Sequence, residues 1–392
     1  MRCWYFSEQS YYPAWGQIPG NPKIVPPANL AQPEVAHRLL QQYLRECQLA
    51  DELGMDIMVN EHHGTYTCMA VSCMLTLSAL AACTRKARLL ALGIPIVNRM
   101  DPFRIAEEIA YVDNLCGGRL EVGLIKGTPF EMYISNQNPA SSAARYWEVW
   151  DLVLAALTHQ DGPFSWESEN FNYRYVNVIP RCYQQPHPPM WLTTASTRTA
   201  PEAAKRDCVL AITALARVAR ESFPIYRKTY LEIHKRPAPL DRFAYLANVA
   251  VAADEATARQ RANKLLKFAE TSERIEQRYL NPPGALMPAD NVRFLRARST
   301  VNHRERTRPD GTPMSNPPTA EDQRANDVLF WGTPDQVFDQ IRSFYDSVGG
   351  FGNLLVQMGG TMTHGELRDG ITLFAKRVMP RLRELTGGKV AA

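Results

Sequence analysis

The sequence predicts an α/β protein, a single (β/α)8 TIM-type barrel, on three observations. Short apolar runs alternate with longer amphipathic ones along the chain. Taken in order they make eight strand–helix units. No G-x-G-x-x-G follows any strand, which removes the main rival, an open doubly wound sheet. Length alone would allow the 392 residues two or three domains of roughly 100–200 residues each. Strand counting instead reads residues 1–392 as one domain, enlarged by a hairpin excursion and by a long insertion after strand seven.

The elements follow from periodicity and punctuation. Arg2–Phe6 reads as strand one, and Glu34–Leu53 as a helix with Leu39, Leu40, Leu44, Cys47 and Leu49 on or near one side. Gly54 stops that helix, and Asp56–Asn60 is strand two. Val71–Thr84 is apolar and helical. Leu89–Val97 is strand three, a continuous apolar run of the kind buried on both faces. Asp101 as N-cap and Pro102 at the first helical position open a helix to about Leu115. Gly117-Gly118 ends it, and Arg119–Ile125 is strand four. After the helix Ala140–Leu157, the alternating aromatics of Gly162–Pro180 predict an antiparallel hairpin outside the main sheet. Pro189–Ala195 is strand five, Arg198–Arg206 a helix, and Cys208–Thr213 strand six. The next assigned element is strand seven, Phe243–Ala252, with its helix Glu255–Thr271. Residues 280–327 are polar, rich in Pro, Arg and Asn, and far longer than an ordinary connection, which marks a lid or a disordered segment. The helix Pro334–Val348, strand eight at Asn353–Gln357 and a helix at about Glu366–Leu385 complete the count.

Composition narrows the function classes. Hydrophobic residues at 45% and charged residues at 21% are ordinary globular usage, against a disordered or fibrous chain. The balance of 44 basic and 40 acidic residues, net +4, comes with no long Lys/Arg stripe, so no nucleic-acid partner is expected. Eight scattered cysteines without a C-x-x-C pair read as buried reduced thiols. Met1–Phe6 lacks the features of a signal peptide. No apolar run approaches the roughly 20 residues that span a bilayer. The expectation is a cytoplasmic enzyme with no membrane association.

In such a barrel the residues just past each strand build the active site. Strand two ends in Asn60-Glu61-His62-His63-Gly64. Adjacent histidines on an extended segment point to opposite faces and cannot both chelate one metal. No other histidine stands at a convincing strand end, so no metal site is expected. Strand four ends in Lys126-Gly127-Thr128, and strand five runs through Thr194-Ala195-Ser196-Thr197-Arg198-Thr199 into a helix. Hydroxyls and free backbone N–H groups at a helix start suit a phosphate, with Lys126 or Arg198 supplying charge. Plain helix capping by Ser196 and Thr199 explains the same residues equally well.

Five fragments, in order from about residue 1 to 385, resemble the bacterial luciferase-like flavin monooxygenases. They are Glu61-His62-His63; Asp101-Pro102-Phe103-Arg104-Ile105-Ala106-Glu107-Glu108; Asp113 to Leu120 leading into Gly123–Gly127; Gly332-Thr333-Pro334; and Val378-Met379-Pro380. The resemblance implies a barrel that takes reduced FMN (FMNH2) from a separate flavin reductase and reacts it with O2. A C4a-peroxyflavin would then hydroxylate, or insert oxygen into, a small organic substrate. Deazaflavin F420 with hydride transfer, and a non-catalytic flavin-binding relative, are the alternatives.

By the same resemblance His62 is the catalytic histidine, with Glu61 and His63 completing the motif. Lys126 stands where many members carry a phosphate-binding arginine, beside Gly127. Thr194, Ser196, Thr197 and Thr199 would hold the phosphate, and Ala195 replaces an acidic neighbour of the motif. A non-proline cis peptide beneath the flavin ring is expected at Gly93–Ile94, with Ile94–Pro95 as the alternative bond. The insertion, basic through Arg293, Arg296, Arg298, Arg304, Arg306 and Arg308, falls where the family has a mobile loop. A homodimer is expected, with the apolar stretch Met69–Ala82 available to it.

Overall fold

A computed structural model describes residues 1–17, 26–272, 307–315 and 317–387, with positions 289 and 292 in isolation. Eight parallel strands close into a barrel: β1 (Arg2–Phe6), β2 (Asp56–Val59), β3 (Leu89–Pro95), β4 (Leu120–Ile125), β7 (Met190–Thr194), β8 (Val209–Thr213), β9 (Phe243–Val251) and β11 (Asn353–Gln357). Closure runs through β1, which pairs with β2 on one side and with β11 on the other, Arg2 opposite Asn353 and Phe6 opposite Gln357. Strands β5 (Phe164–Glu167) and β6 (Asn172–Val176) form the separate antiparallel hairpin that the alternating aromatics predict. Each of the eight predicted barrel strands is present, with ends moved by at most two residues.

Two apolar layers hold the barrel. Inside it, Trp4, Phe6, Met58, Leu90, Leu92, Trp191, Leu246 and Leu355 meet across the axis. Trp4 and Trp191 pack edge to face at 5.5 Å. Their indole N–H groups donate to Asn353 Oδ1 and Glu121 Oε2, so neither buried ring leaves a donor unmet. The alternate residues of the same strands, among them Cys3, Tyr5, Ile57, Leu89, Ile94 and Val122, face outward into the larger layer under the helices. Period-two alternation thus divides the strands between two cores, except β4, whose apolar residues Leu120, Val122 and Leu124 all lie in the outer one.

The helices are α1 (Pro33–Glu52), α2 (Cys73–Cys83), α3 (Pro102–Leu115), α4 (Pro129–Ile134), α5 (Ser142–Thr158), α6 (Ala200–Lys205), α7 (Ala216–His234), α8 (Glu255–Ser272), α9 (Ala320–Ala325), α10 (Pro334–Ser347), α11 (His364–Leu373) and α12 (Met379–Leu385). Asp101 caps α3 by accepting from Phe103 N, as its position before Pro102 predicts. The last predicted helix is divided by a π-helical turn, Phe374–Val378. No helix among the described residues is long and apolar enough to cross a membrane.

Four elements escape the periodicity reading. Helix α7 carries Pro224 in its interior, a residue that argues against a helix in sequence, yet Ala219, Phe223, Tyr226 and Tyr230 line its buried side at helical spacing. Helix α4 is too short to show a period. Helix α9 and strand β10 (Leu329–Gly332) lie at the end of, or just beyond, the stretch read as polar insertion. The larger part of that insertion, 280–306, falls outside the described residues apart from the two isolated positions. Its downstream part is built: Arg308 donates to Asp322, whose other oxygen accepts from the backbone of Ser315 and Thr319. Arg308 is therefore committed to a carboxylate of its own segment. The five other arginines named for the insertion lie outside the described residues.

The non-proline cis peptide is at Leu92–Gly93, one bond before the expected Gly93–Ile94. The β3–β4 register shifts at the same place: Leu92 pairs with Gly123 and Ile94 with Leu124, which leaves Gly93 out of the ladder. A Cβ on Gly93 would stand 2.6 Å from both Gly123 O and Ile125 Cγ2, so the two strands approach there only because the residue is glycine.

Candidate active site

The polar residues gather at the C-terminal ends of the strands. His62 and His63 follow β2, and their side chains diverge as adjacent residues on an extended segment must. His62 Nδ1 stands 2.7 Å from Glu131 Oε1. A carboxylate can only accept, so Nδ1 carries the proton and Nε2 is the nitrogen left to the mouth. Glu131 is 2% exposed, and its position is fixed by Thr128, whose hydroxyl donates to Oε2 at 2.7 Å, and by His63 N, which donates to Oε1 at 3.2 Å. Beyond Nε2, at 3.9 Å, is Glu8 Oε2, which accepts from Asn60 Nδ2 at 2.6 Å. The imidazole is thus oriented by one carboxylate and faced by a second, an arrangement suited to moving or holding a proton.

Glu61 does not reach the mouth. It is 1% exposed and collects donors: Arg99 Nη2 lies 3.1 Å from each of its oxygens, Cys73 N donates at 2.9 Å, and His63 Nε2 stands at 3.2 Å. This cluster ties the ends of β2 and β3 to the start of α2. Of the three motif residues, His62 lies between Glu131 and Glu8, while Glu61 and His63 build its support.

The predicted phosphate residues are brought side by side. Gly123 of β4 pairs with Trp191 of β7, so Lys126 and Thr194, three residues further on in each strand, come level at adjacent strand ends. Lys126 is exposed. The hydroxyls are engaged locally: Thr194 Oγ1 bonds Ser196 O at 2.9 Å and Thr199 Oγ1 at 3.0 Å, and Ser196 Oγ accepts from Arg198 N at 3.3 Å. Ser196 caps the 3-10 turn Thr197–Thr199 that leads into α6, as the capping reading predicts. Thr199 makes no side-chain cap to α6. Ile94 packs in the layer beneath the helices, which leaves only its backbone to face the mouth.

Four residues of this site carry no local sequence signal: Glu8, Asn98, Arg99 and Glu131, single polar residues past β1, β3 and β4. Inspection of every strand end, rather than motifs alone, would have found them. Asn98 stands out chemically. It is 7% exposed, and neither Oδ1 nor Nδ2 has a hydrogen-bond partner. A buried carboxamide without partners is costly, by about 1–3 kcal/mol. It lies against Gly127, where φ is +84° and a Cβ would sit 3.4 Å from Asn98 Oδ1 and 3.1 Å from Pro95 Cβ. An unmet amide, a glycine cradle and an exposed ammonium side by side fit a polar ligand with an anionic end. Among the described residues no group of three or more His, Cys, Asp or Glu is placed to hold a metal ion.

The sequence profile of the luciferase-like monooxygenases matches residues 25–350. The oxygenase component of the flavin-dependent trigonelline monooxygenase of Acinetobacter baylyi is 25% identical over 182 residues, 45% of this chain and 49% of that protein. The chain spans about half the length of the curated relatives it matches. Solved structures match nearly end to end. The monooxygenase RslO1 from Streptomyces bottropensis gives a TM-score of 0.72 at 23% identity, covering 97% of this chain and 100% of that one. The coenzyme F420 dependent tetrahydromethanopterin reductase of Methanopyrus kandleri gives 0.63 at 16% identity, covering 97% and 98%. Both share the fold described above.

Proposed function

The chain belongs to the luciferase-like monooxygenase family, and from that premise we propose that it is the oxygenase of a two-component system, a cytoplasmic homodimer that receives reduced FMN from a separate flavin reductase and uses O2 to oxygenate a small organic substrate. The observation that carries this reading is the juxtaposition, at one barrel mouth, of the carboxylate-backed His62 with the unmet amide of Asn98 and the Lys126–Gly127 cradle. Reduced FMN, when bound, supplies the electrons that activate oxygen. The chain's own residues do the rest. Lys126 would meet the phosphate with a point charge rather than the fork of an arginine. The hydroxyls of Thr194, Ser196, Thr197 and Thr199 and the backbone at Gly127 would hold it with Lys126. Asn98 would offer the flavin both a donor and an acceptor, and the backbone at Gly93–Ile94 would help to hold it. His62 would take a proton at Nε2 and give it back beside the substrate, with Glu131 fixing the ring through Nδ1 and Glu61 and His63 fixing the loop.

Anaerobic titration with reduced FMN, followed by oxygen uptake with a flavin reductase and a substrate panel, tests the reading. His62→Ala is expected to bind reduced FMN within about twofold of the wild type and to lower turnover by about 10²–10⁴-fold, the usual contribution of a general acid or base. Tight binding of F420 with no oxygen uptake would overturn the oxygenase reading in favour of hydride transfer.

A further inference from the structure

Glu8, two residues past β1, has its place fixed from several directions. Gln9 follows it at φ +52°, in the left-handed region, and Gln9 O accepts from Met69 N at 3.0 Å. Ser10 Oγ donates to Thr67 O at 2.6 Å, and Ser10 O accepts from Tyr43 OH at 2.7 Å. This segment is thereby tied to the loop after β2 and to α1. The side chain is anchored as well. Glu8 Oε2 accepts from Asn60 Nδ2 at 2.6 Å, while Asn60 Oδ1 accepts from the Cys68 thiol at 3.5 Å. With its oxygen on a donor, the carboxamide of Asn60 turns its own donor to Glu8.

His62 therefore has a carboxylate at each nitrogen. Glu131 of α4 holds Nδ1 at 2.7 Å, and Glu8 Oε2 stands 3.9 Å from Nε2, too far for a hydrogen bond but well within reach of an opposite charge. Both side chains are largely withdrawn from solvent, 20% exposed for His62 and 14% for Glu8. The other charged groups around them have partners of their own. Glu61 holds Arg99 and stands at His63 Nε2, and on the far side of Glu8 the carboxylate of Glu46 pairs with His364. Orienting a neutral imidazole needs Glu131 alone. The second carboxylate acts once Nε2 has taken a proton, because the ring is then a cation with an anion on either side.

We propose that Glu8 is a positioning residue that acts through His62, stabilising the ring while Nε2 carries a proton and so keeping that proton on the imidazole until it is given back. The proposal rests on the oxygenase reading in one respect, that His62 is the group that handles the proton.

An NMR titration of the flavin-free protein carrying ring-labelled histidine tests it, with the His62 signal identified by its loss in His62→Gln. Glu8→Gln keeps the shape and an acceptor for Asn60 but removes the charge. The midpoint of the His62 titration is expected to fall by at least about 0.5 pH unit in that variant, roughly a threefold weaker hold on the proton. In the oxygen-uptake assay, the limb of turnover that rises as His62 loses its proton should move to lower pH by the same amount. A merely structural role for Glu8 would move neither. A His62 midpoint that stays in place or rises in Glu8→Gln would overturn the proposal. Since the NMR titration contains no flavin and no substrate, it separates the two readings. A lowered midpoint in a protein that fails to bind reduced FMN sinks the oxygenase reading alone. Oxygen uptake with an unmoved midpoint sinks this one alone.

Discussion

The imidazole of His62 has one nitrogen committed to Glu131 and one open to the mouth, and that asymmetry is a property of side-chain chemistry. A buried carboxylate is an obligate acceptor, so it fixes the tautomer as well as the ring plane. Removing the charge while keeping the shape should separate orientation from packing. In Glu131→Gln, turnover in the oxygen-uptake assay is expected to fall about 10–100-fold, the usual cost of losing such a partner. The Kd for reduced FMN should stay within twofold, and Glu131→Asp should restore part of the loss; unchanged turnover in Glu131→Gln would remove Glu131 from the mechanism. The sequence shows His62 because Glu61, His62 and His63 are contiguous and close a strand. It hides Glu131, Glu8 and Arg99 because each is one common residue, and only the closed ring of strands brings them within 4 Å of the motif.

The eight barrel strands are legible as short apolar runs, because each is covered on both faces and its own composition marks it. What lay hidden was held by contacts distant in sequence. Helix α9 has just six residues and a polar surface, and it stands because Asp322 closes a capping box with Thr319 and accepts from Arg308 and Ser315 N. Burial pushes the Asp322 carboxyl up, but those donors outweigh it and hold its pKa well below the usual carboxylate range. A group depressed in this way stabilises the fold above its unfolded pKa, about 3.9, and that contribution is lost as pH falls towards the lower folded value. Asp322→Asn should therefore unfold at lower urea than the wild type at pH 7, by about 1–3 kcal/mol for the charged hydrogen bonds removed. The difference between the two proteins should narrow progressively below about pH 4. A difference independent of pH would show that the carboxylate's charge has no part in anchoring α9.

At the scale of the whole molecule the barrel is two cores sharing one set of strands, and the sequence disclosed the strand count but not which side chains face the axis. Trp191 belongs to the inner core, fully buried against Trp4, with its N–H on Glu121. Trp191→Ala is expected to cost about 3–5 kcal/mol of stability, the range for a large aromatic removed from a packed interior. A urea titration showing less than about 1 kcal/mol would mean that the neighbouring strands collapse into the space. The long insertion, read from its composition as a lid or a solvated loop, also has a structural end. Strand β10 attaches it to the barrel by pairing with β9, and the fully buried Trp331 of β10 donates to Ala320 O of α9.

Strand β9 is nine residues long, and Asn248 pairs with Gln357 of β11 and with Leu329 of β10 at once. The two partners must lie on opposite sides, so β10 takes the edge that β8 leaves after its last pair, Thr213 with Leu246. Without β10, the upper half of β9 would present a row of bare amides and carbonyls to any passing chain, the template on which sheets add strands from their neighbours. The returning end of the insertion covers that edge, and so protects the barrel from sticking to copies of itself.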